Sequence, residues 1–201
     1  MRVLNKQYCI SCVVLSIMIG AWQENIAKYS DTNAFKALYL HMMPSLSRFA
    51  ASFLKDRQAA EDVVADIFAT LWNNRSSLGK IDNLKVYLYA SVRNACLSYL
   101  QKRNRITFYA FDEMDVELEQ LIRPDQHPEQ QLITREMTEA VQAAVEKLPV
   151  KCRMIFRLAR EEKLRYKEIA AILNISVRTI DSQMAIAFQR IHQSIAQHLI
   201  Q

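Results

Sequence analysis

Two glycines in 201 residues leave this chain little with which to build hairpins or many-stranded sheets. Only four prolines punctuate the rest, so the expected fold is all-α. Hydrophobic residues make up 51% of the sequence, enough for helices to bury real cores. The length suits one or two small domains.

The most telling stretch is Arg165 to Met184, RYKEIAAILNISVRTIDSQM. Ile169, Ala170 and Leu173 line one face of a first short helix. Val177, Ile180 and Met184 line one face of a second, at steps of three and four. Asn174-Ile175-Ser176 fits the turn between them, and the Ser176 hydroxyl suits the cap of the second helix. Small Ala170 lets the two approach closely. This is the helix-turn-helix pattern, whose second helix lies in the DNA major groove.

Helical periodicity continues through the rest of the chain. A first helix is expected over residues 32–54, kinked or split by Pro44 near residues 40–44. A second runs over 57–73 with Asp56 as cap. It has an apolar side that includes Val63, Val64, Ile67 and Phe68 and an acidic strip of Glu61, Asp62 and Asp66. Residues 73–82 hold a glycine and turn formers and are expected as a loop. A third helix follows over 83–104, capped by Asp82. Residues 106–131 form a linker with room for a short helix at 113–121. Further helices are expected over 132–147 and 149–161, with Pro149 in the first turn of the latter.

Charge divides the chain in the same way. Residues 1–105 carry 14 basic and 7 acidic side chains, residues 106–131 carry 1 and 7, and residues 132–201 carry 11 and 7. Two basic blocks flank an acidic connector, and basic blocks suit polyanions. The four cysteines make no framework: Cys9 and Cys12 have no partner pair at zinc spacing, and Cys96 and Cys152 sit in apolar helical patterns as expected free thiols. The apolar run Tyr8 to Trp22 is shorter than the ~20 residues a membrane helix needs. It lacks a small-residue cleavage pattern. It is expected to be an extension outside the fold, with Met18 a candidate start; a peripheral membrane anchor is the alternative.

Three segments carry a resemblance to a known family: FLKDRQAAEDVVADIFATLW, NLKVYLYASVRNACLSYLQKR and LPVKCRMIFRLAREEKLRYKEIAAILNISVRTIDSQM. In this order and spacing the chain resembles a bacterial RNA polymerase sigma factor of the sigma-70 family, in its small extracytoplasmic-function (ECF) group. The resemblance implies two small helical domains joined by a flexible linker. Residues 25–105 would be region 2, 106–131 the linker and 132–201 region 4, with residues 1–24 outside the fold. The implied function is transcription initiation. The chain would bind core RNA polymerase and guide it to promoter DNA. Region 4 would read a −35-type element, and region 2 would capture and open a −10-type element. A free-standing helix-turn-helix regulator is the alternative. A membrane-bound anti-sigma partner and a cytoplasmic location are also implied, with no cofactor and no small-molecule substrate.

The resemblance gives polymerase docking to Glu61, Asp62, Val64, Asp66 and Phe68, where acidic groups would steer encounter and fix register. Opening a promoter needs charge along a single strand, amide groups for a flipped base and aromatic faces to stack on. Arg75, Lys80, Asn83, Lys85, Tyr87, Arg93 and Asn94 supply these. Tyr87 and Tyr89 cannot share one helix face, so at most one meets DNA. In the helix-turn-helix, Ser176, Arg178, Thr179, Asp181, Ser182 and Gln183 are spared by the apolar face, and Arg and Gln can each grip a base edge bidentately. Lys163, Arg165 and Lys167 suit phosphates, which position without specifying. Arg165 stands where relatives often carry a Ser or Thr cap, and the basic residues that usually follow Met184 are thinned. The four histidines are scattered without metal spacing, and no catalytic constellation is expected.

Overall fold

The computed structural model describes residues 10–103 and 132–199; side chains are described at 14–103 and 139–196. The acidic linker and its short helix at 113–121 lie outside the described residues. Every regular element among the described residues is helical. The chain divides into two compact units, at Arg105 and Ile106.

Unit 1 contains α1 (Ile10–Tyr29), α2 (Thr32–Leu54), α3 (Arg57–Asn73), a 3₁₀ turn (Arg75–Lys80) and α4 (Leu84–Lys102). Asp31 starts α2 by accepting the amides of Asn33 and Ala34, and Asp56 starts α3 by accepting those of Gln58 and Ala59. Pro44 does not split α2, which runs unbroken through it. Proline removes one backbone donor, which frees the carbonyl four residues earlier, at Leu40. Both Leu40 and Pro44 are exposed, so water can serve that carbonyl.

The core of unit 1 is aromatic at its centre. Phe68 meets the ring edges of Phe35 and Tyr39 at 6.0 and 5.0 Å, and Phe35 leans on Trp72 at 4.9 Å. Phe49 packs edge-on against Phe53 and Tyr89. Offset and edge-on contacts of this kind contribute beyond plain burial. Leu38, Leu46, Val64, Leu88 and Val92 fill the space between.

The expectation that residues 1–24 stand outside the fold is corrected for the segment described. On α1, Ile19 and Ile26 are buried, Trp22 lies 5.8 Å from the His41 ring, and Gln23 bonds to the turn near Leu78. Val14, Ile17 and Met18 are exposed. An apolar run that packs on one side only resembles a leader in sequence. No helix among the described residues is long and apolar enough to cross a membrane. Two smaller expectations change as well. The 73–82 loop contains a 3₁₀ turn because Leu78 buries itself, and Asn83 rather than Asp82 caps α4, accepting from Val86 N at 3.1 Å.

Unit 2 contains α5 (Leu132–Glu146), α6 (Val150–Arg160), α7 (Tyr166–Leu173) and α8 (Val177–Leu199). Pro149 sits at the cap of α6, one place before the first turn. Ala144, Val145, Leu148, Cys152, Ala187 and Ile191 form a core where α5 and α6 meet α8, and Val141, Phe156 and Ile195 pack on it. Glu146 at the end of α5 pairs with Arg153, at 3.7 Å, and with Arg157 on α6. Two of this unit's arginines are thereby committed to the fold.

Removing residues 1–17 is expected to change the stability of unit 1 by less than about 1 kcal/mol, since the described side chains lost are mostly exposed. Ile26→Ala is expected to cost about 2–5 kcal/mol. Urea unfolding of the two variants checks the contrast.

Candidate nucleic-acid interface

In unit 2 the turn between α7 and α8 is fixed by its own side chains. Asn174 takes the left-handed conformation at φ 56°, which asparagine tolerates better than most residues. Ile175 N–H then returns to Ala170 O at 3.1 Å. Ser176 Oγ accepts from Thr179 N at 3.0 Å and lies 2.9 Å from Thr179 Oγ1. Ser176 and Thr179 are thus occupied with starting α8. At the start of α7, the Glu168 carboxylate accepts from Arg165 N at 2.7 Å, the half of a capping box that serves the cap residue's own amide.

Ile169, Ile172, Leu173, Ile180 and Met184 are buried and lock α7 on α8. Arg178, Asp181 and Ser182 are exposed on the outer face of α8. Gln183 is half-buried, and its backbone carbonyl accepts from Cys152 Sγ at 3.3 Å. Ser182 Oγ donates back to Arg178 O at 3.0 Å. Lys163, Arg165 and Lys167 lie at and before the start of α7; all three are exposed, and Lys163 is left-handed at φ 56°. Past Met184 the surface changes character: Arg160 lies 4.8 Å over the Phe188 ring, and Phe156 meets it edge-on.

In unit 1 the two tyrosines differ in exposure. Tyr89 is 1% exposed and packs on Phe49, whereas Tyr87 is 44% exposed. Asn83, Tyr87 and Asn94 recur at steps of four and seven along α4, on one face. Arg93 flanks that face, half-buried, with a hydrogen bond to Asn94 Oδ1 at 3.3 Å. Burial draws its guanidinium below the usual arginine value. Lys85, two residues from Asn83, falls on the side of Leu88 and Val92 and is half-buried. Lys80 is exposed in the turn. Arg75 is held at three points: to Ser30 Oγ at 2.8 Å, to Trp72 O at 3.1 Å and over the Trp72 ring at 4.8 Å. Its side chain is built into the turn rather than held out from it.

The polymerase-docking set is corrected at two positions. Val64 and Phe68 are 0% and 2% exposed, inside the aromatic core, and cannot meet a partner without unfolding α3. Asp62 and Asp66 are exposed, with Asp62 accepting from Gln58 at 2.9 Å; Glu61 is half-buried and pairs with Arg57 at 2.9 Å. The exposed face between the aspartates is made by Ala65 and Ala69. The sequence reading missed both, although the steps 62, 65, 66 and 69 mark a single helical face. Among the described residues no group of side chains could hold a metal ion.

The Cys96 thiol is pushed up to about 12 by burial, so it stays protonated at neutral pH. Cys152 is buried too.

Comparison with known proteins gives two family matches. The model for sigma-70 region 2 matches residues 38–106, and that for sigma-70 region 4 matches residues 138–191. The ECF RNA polymerase sigma factor SigM of Bacillus subtilis (strain 168) is 27% identical over 154 residues, 77% of this chain and 90% of the relative. The ECF RNA polymerase sigma-E factor of Escherichia coli (strain K12) is 27% identical over 173 residues, 82% of this chain and 88% of the relative. Among solved structures, the sigma factor RpoE in complex with the anti-sigma factor NepR from Bartonella quintana is similar. It has a TM-score of 0.53 and 28% identity, covering 81% of this chain and 96% of that one.

Tyr89→Ala is expected to cost about 3–5 kcal/mol and Tyr87→Ala within about 0.5 kcal/mol, measured by denaturant unfolding. Because the fold raises the Cys96 value above that of a free thiol, Cys96 supports the fold below the free-thiol value near 8.5–9. That support is lost as pH rises towards about 12. A Cys96→Ala variant should lose less stability than the native chain across that window, which pH-dependent unfolding checks.

Proposed function

The chain belongs to the bacterial sigma-70 family, in its ECF group, and on that premise we propose how its two units divide the work of starting transcription. As a member of that family it is a transcription initiation factor that directs RNA polymerase to promoters. The alternative of a free-standing regulator is not favoured, because such a protein has no use for the region 2 unit.

In this proposal unit 2 reads duplex DNA at a −35-type element. Arg178, Asp181, Ser182 and Gln183 face base edges, Ser176 and Thr179 hold the helix start that presents them, and Lys163, Arg165 and Lys167 meet phosphates. Unit 1 captures the melted strand at a −10-type element. Lys80 and Arg93 supply charge, Asn83 and Asn94 supply amides, and Tyr87 offers a stacking face. Arg75 and Lys85 support this surface from within and from its flank. Asp62 and Asp66, with Glu61 beside them, dock on core polymerase across the shallow face left by Ala65 and Ala69. The observation that carries the reading is the alignment of Asn83, Tyr87 and Asn94 on one exposed face of α4 while Tyr89 is committed to the core.

The proposal extends to partners and place. The RpoE structure holds an anti-sigma factor. An inhibitor of that kind, membrane-linked, is proposed here as well, acting on this chain in the cytoplasm. No cofactor and no small-molecule substrate enter the scheme.

Run-off transcription on genomic DNA with core polymerase, with and without the chain, is the direct test and identifies its promoters. Chain-dependent transcripts are expected; their absence with a folded chain and active core would overturn the proposal. Arg178→Ala and Gln183→Ala should alter preference only at the upstream element, by about 1–3 kcal/mol at a contacted base pair. The combined change Glu61→Lys, Asp62→Lys and Asp66→Lys should weaken core binding while circular dichroism stays native. Undiminished binding by that variant would remove α3 from the interface.

A further inference from the structure

The turn that carries Lys80 and leads to Asn83 is tied to a helix from the start of the unit. Within it, Ser77 N–H reaches Asn74 O and Ile81 N–H reaches Leu78 O. Gln23 on α1, more than fifty residues earlier, adds two further bonds. Its side-chain amide donates to Leu78 O at 2.8 Å and to Ile81 O at 2.7 Å. A glutamine amide has two N–H groups, so both donors are spent on the backbone that brackets Gly79 and Lys80. One turn further along α1 the packing is close: a Cβ placed on Gly79 would lie 3.9 Å from Ala27 Cβ. Just past the end of α1, Ser30 Oγ accepts from Arg75 Nε. Buried Leu78 closes the seam. The start, middle and end of the turn are thus each tied to α1 or to the residue that follows it.

We infer that Gln23 is a positioning residue for strand capture, fixing the 75–83 segment before DNA arrives. The inference rests on the proposal that this segment and the α4 face meet the melted strand. A short exposed segment that must order itself on binding spends binding energy on its own ordering; one already pinned does not. Gln23 itself touches no DNA. It acts through the carbonyls of Leu78 and Ile81, which set the direction of Lys80 and the approach to the Asn83 cap.

The test uses holoenzyme reconstituted from core polymerase and the full chain. Its DNA is a promoter recovered by run-off transcription, presented as duplex and as the same template premelted across the −10-type element. Gln23→Ala and the isosteric Gln23→Glu, whose carboxylate cannot donate, are expected to lower strand capture about tenfold on both templates. They should also flatten discrimination among −10-type sequences on the premelted template, with upstream preference unchanged. Leu46→Val, a truncation in the α2 core, serves as a control for lost stability and should leave discrimination intact. Equal flattening by Leu46→Val would reduce Gln23 to a general stabiliser and overturn the inference. If Lys80→Ala lowers capture while both Gln23 variants behave as the native chain, the positioning role falls and the proposed strand-binding surface stands. If Lys80→Ala, Tyr87→Ala and Asn94→Ala all leave capture unchanged, that surface is wrong and the inference falls with it.

Discussion

Side-chain oxygens that accept helix-start amides set the layout of this protein. Asp31, Asp56, Asn83 and Ser176 each take one or two amides that the helix itself cannot satisfy. Two of these caps directly follow a residue forced to positive φ: Ser30 precedes Asp31, and Lys55 precedes Asp56. Asn174 does the same for Ser176 from one position further back. Neither glycine of the chain is spent on such a turn. A cap contributes about 1 kcal/mol, and a left-handed non-glycine residue costs about 1–2 kcal/mol. The joints therefore come close to balance, and the choice of where one helix ends and the next begins falls to the packing that follows.

That packing decides which polar groups remain for partners. In unit 1 the ring cluster of Phe35, Tyr39, Phe68 and Trp72 claims one side of α3, leaving Asp62, Ala65, Asp66 and Ala69 outward. On α4, Tyr89 turns inward against Phe49, and the same helical register turns Asn83, Tyr87 and Asn94 outward. In unit 2, Glu146 draws Arg153 and Arg157 into the seam between α5 and α6. The net charge of +5 therefore overstates what the surface offers a polyanion, because the arginines differ in duty: some hold helices together, while Arg178 and Arg165 stand in solvent.

Local chemistry made much of this legible in sequence. The all-α class, the extent of α3 and its Asp56 cap, and the turn at Asn174 to Ser176 all follow from residues within one or two helical turns of each other. What stayed hidden depends on distant chain. The apolar run of α1 has the same composition whether it packs, spans or is cut off, and only the groove beside Leu78 tells which. Val64 and Phe68 lie beside acidic residues in sequence, yet the rings of α2 bury Phe68. The duty of Arg75 could not be read because Ser30, 45 residues earlier, meets it only in the folded unit. Pro44 misled for the opposite reason: its cost is real, but an exposed helix face lets water meet it.

The Gln23 bonds also have a meaning in time. Their carbonyl partners stand 55 and 58 residues later in the chain. At typical synthesis rates that interval is about 3–12 s, during which the side-chain amide of Gln23 lacks these two partners. The nascent chain can pack α1 on α2 at once, but the turn that receives Gln23 comes only later. The packing of α1 is therefore complete only once the chain through Ile81 has been made.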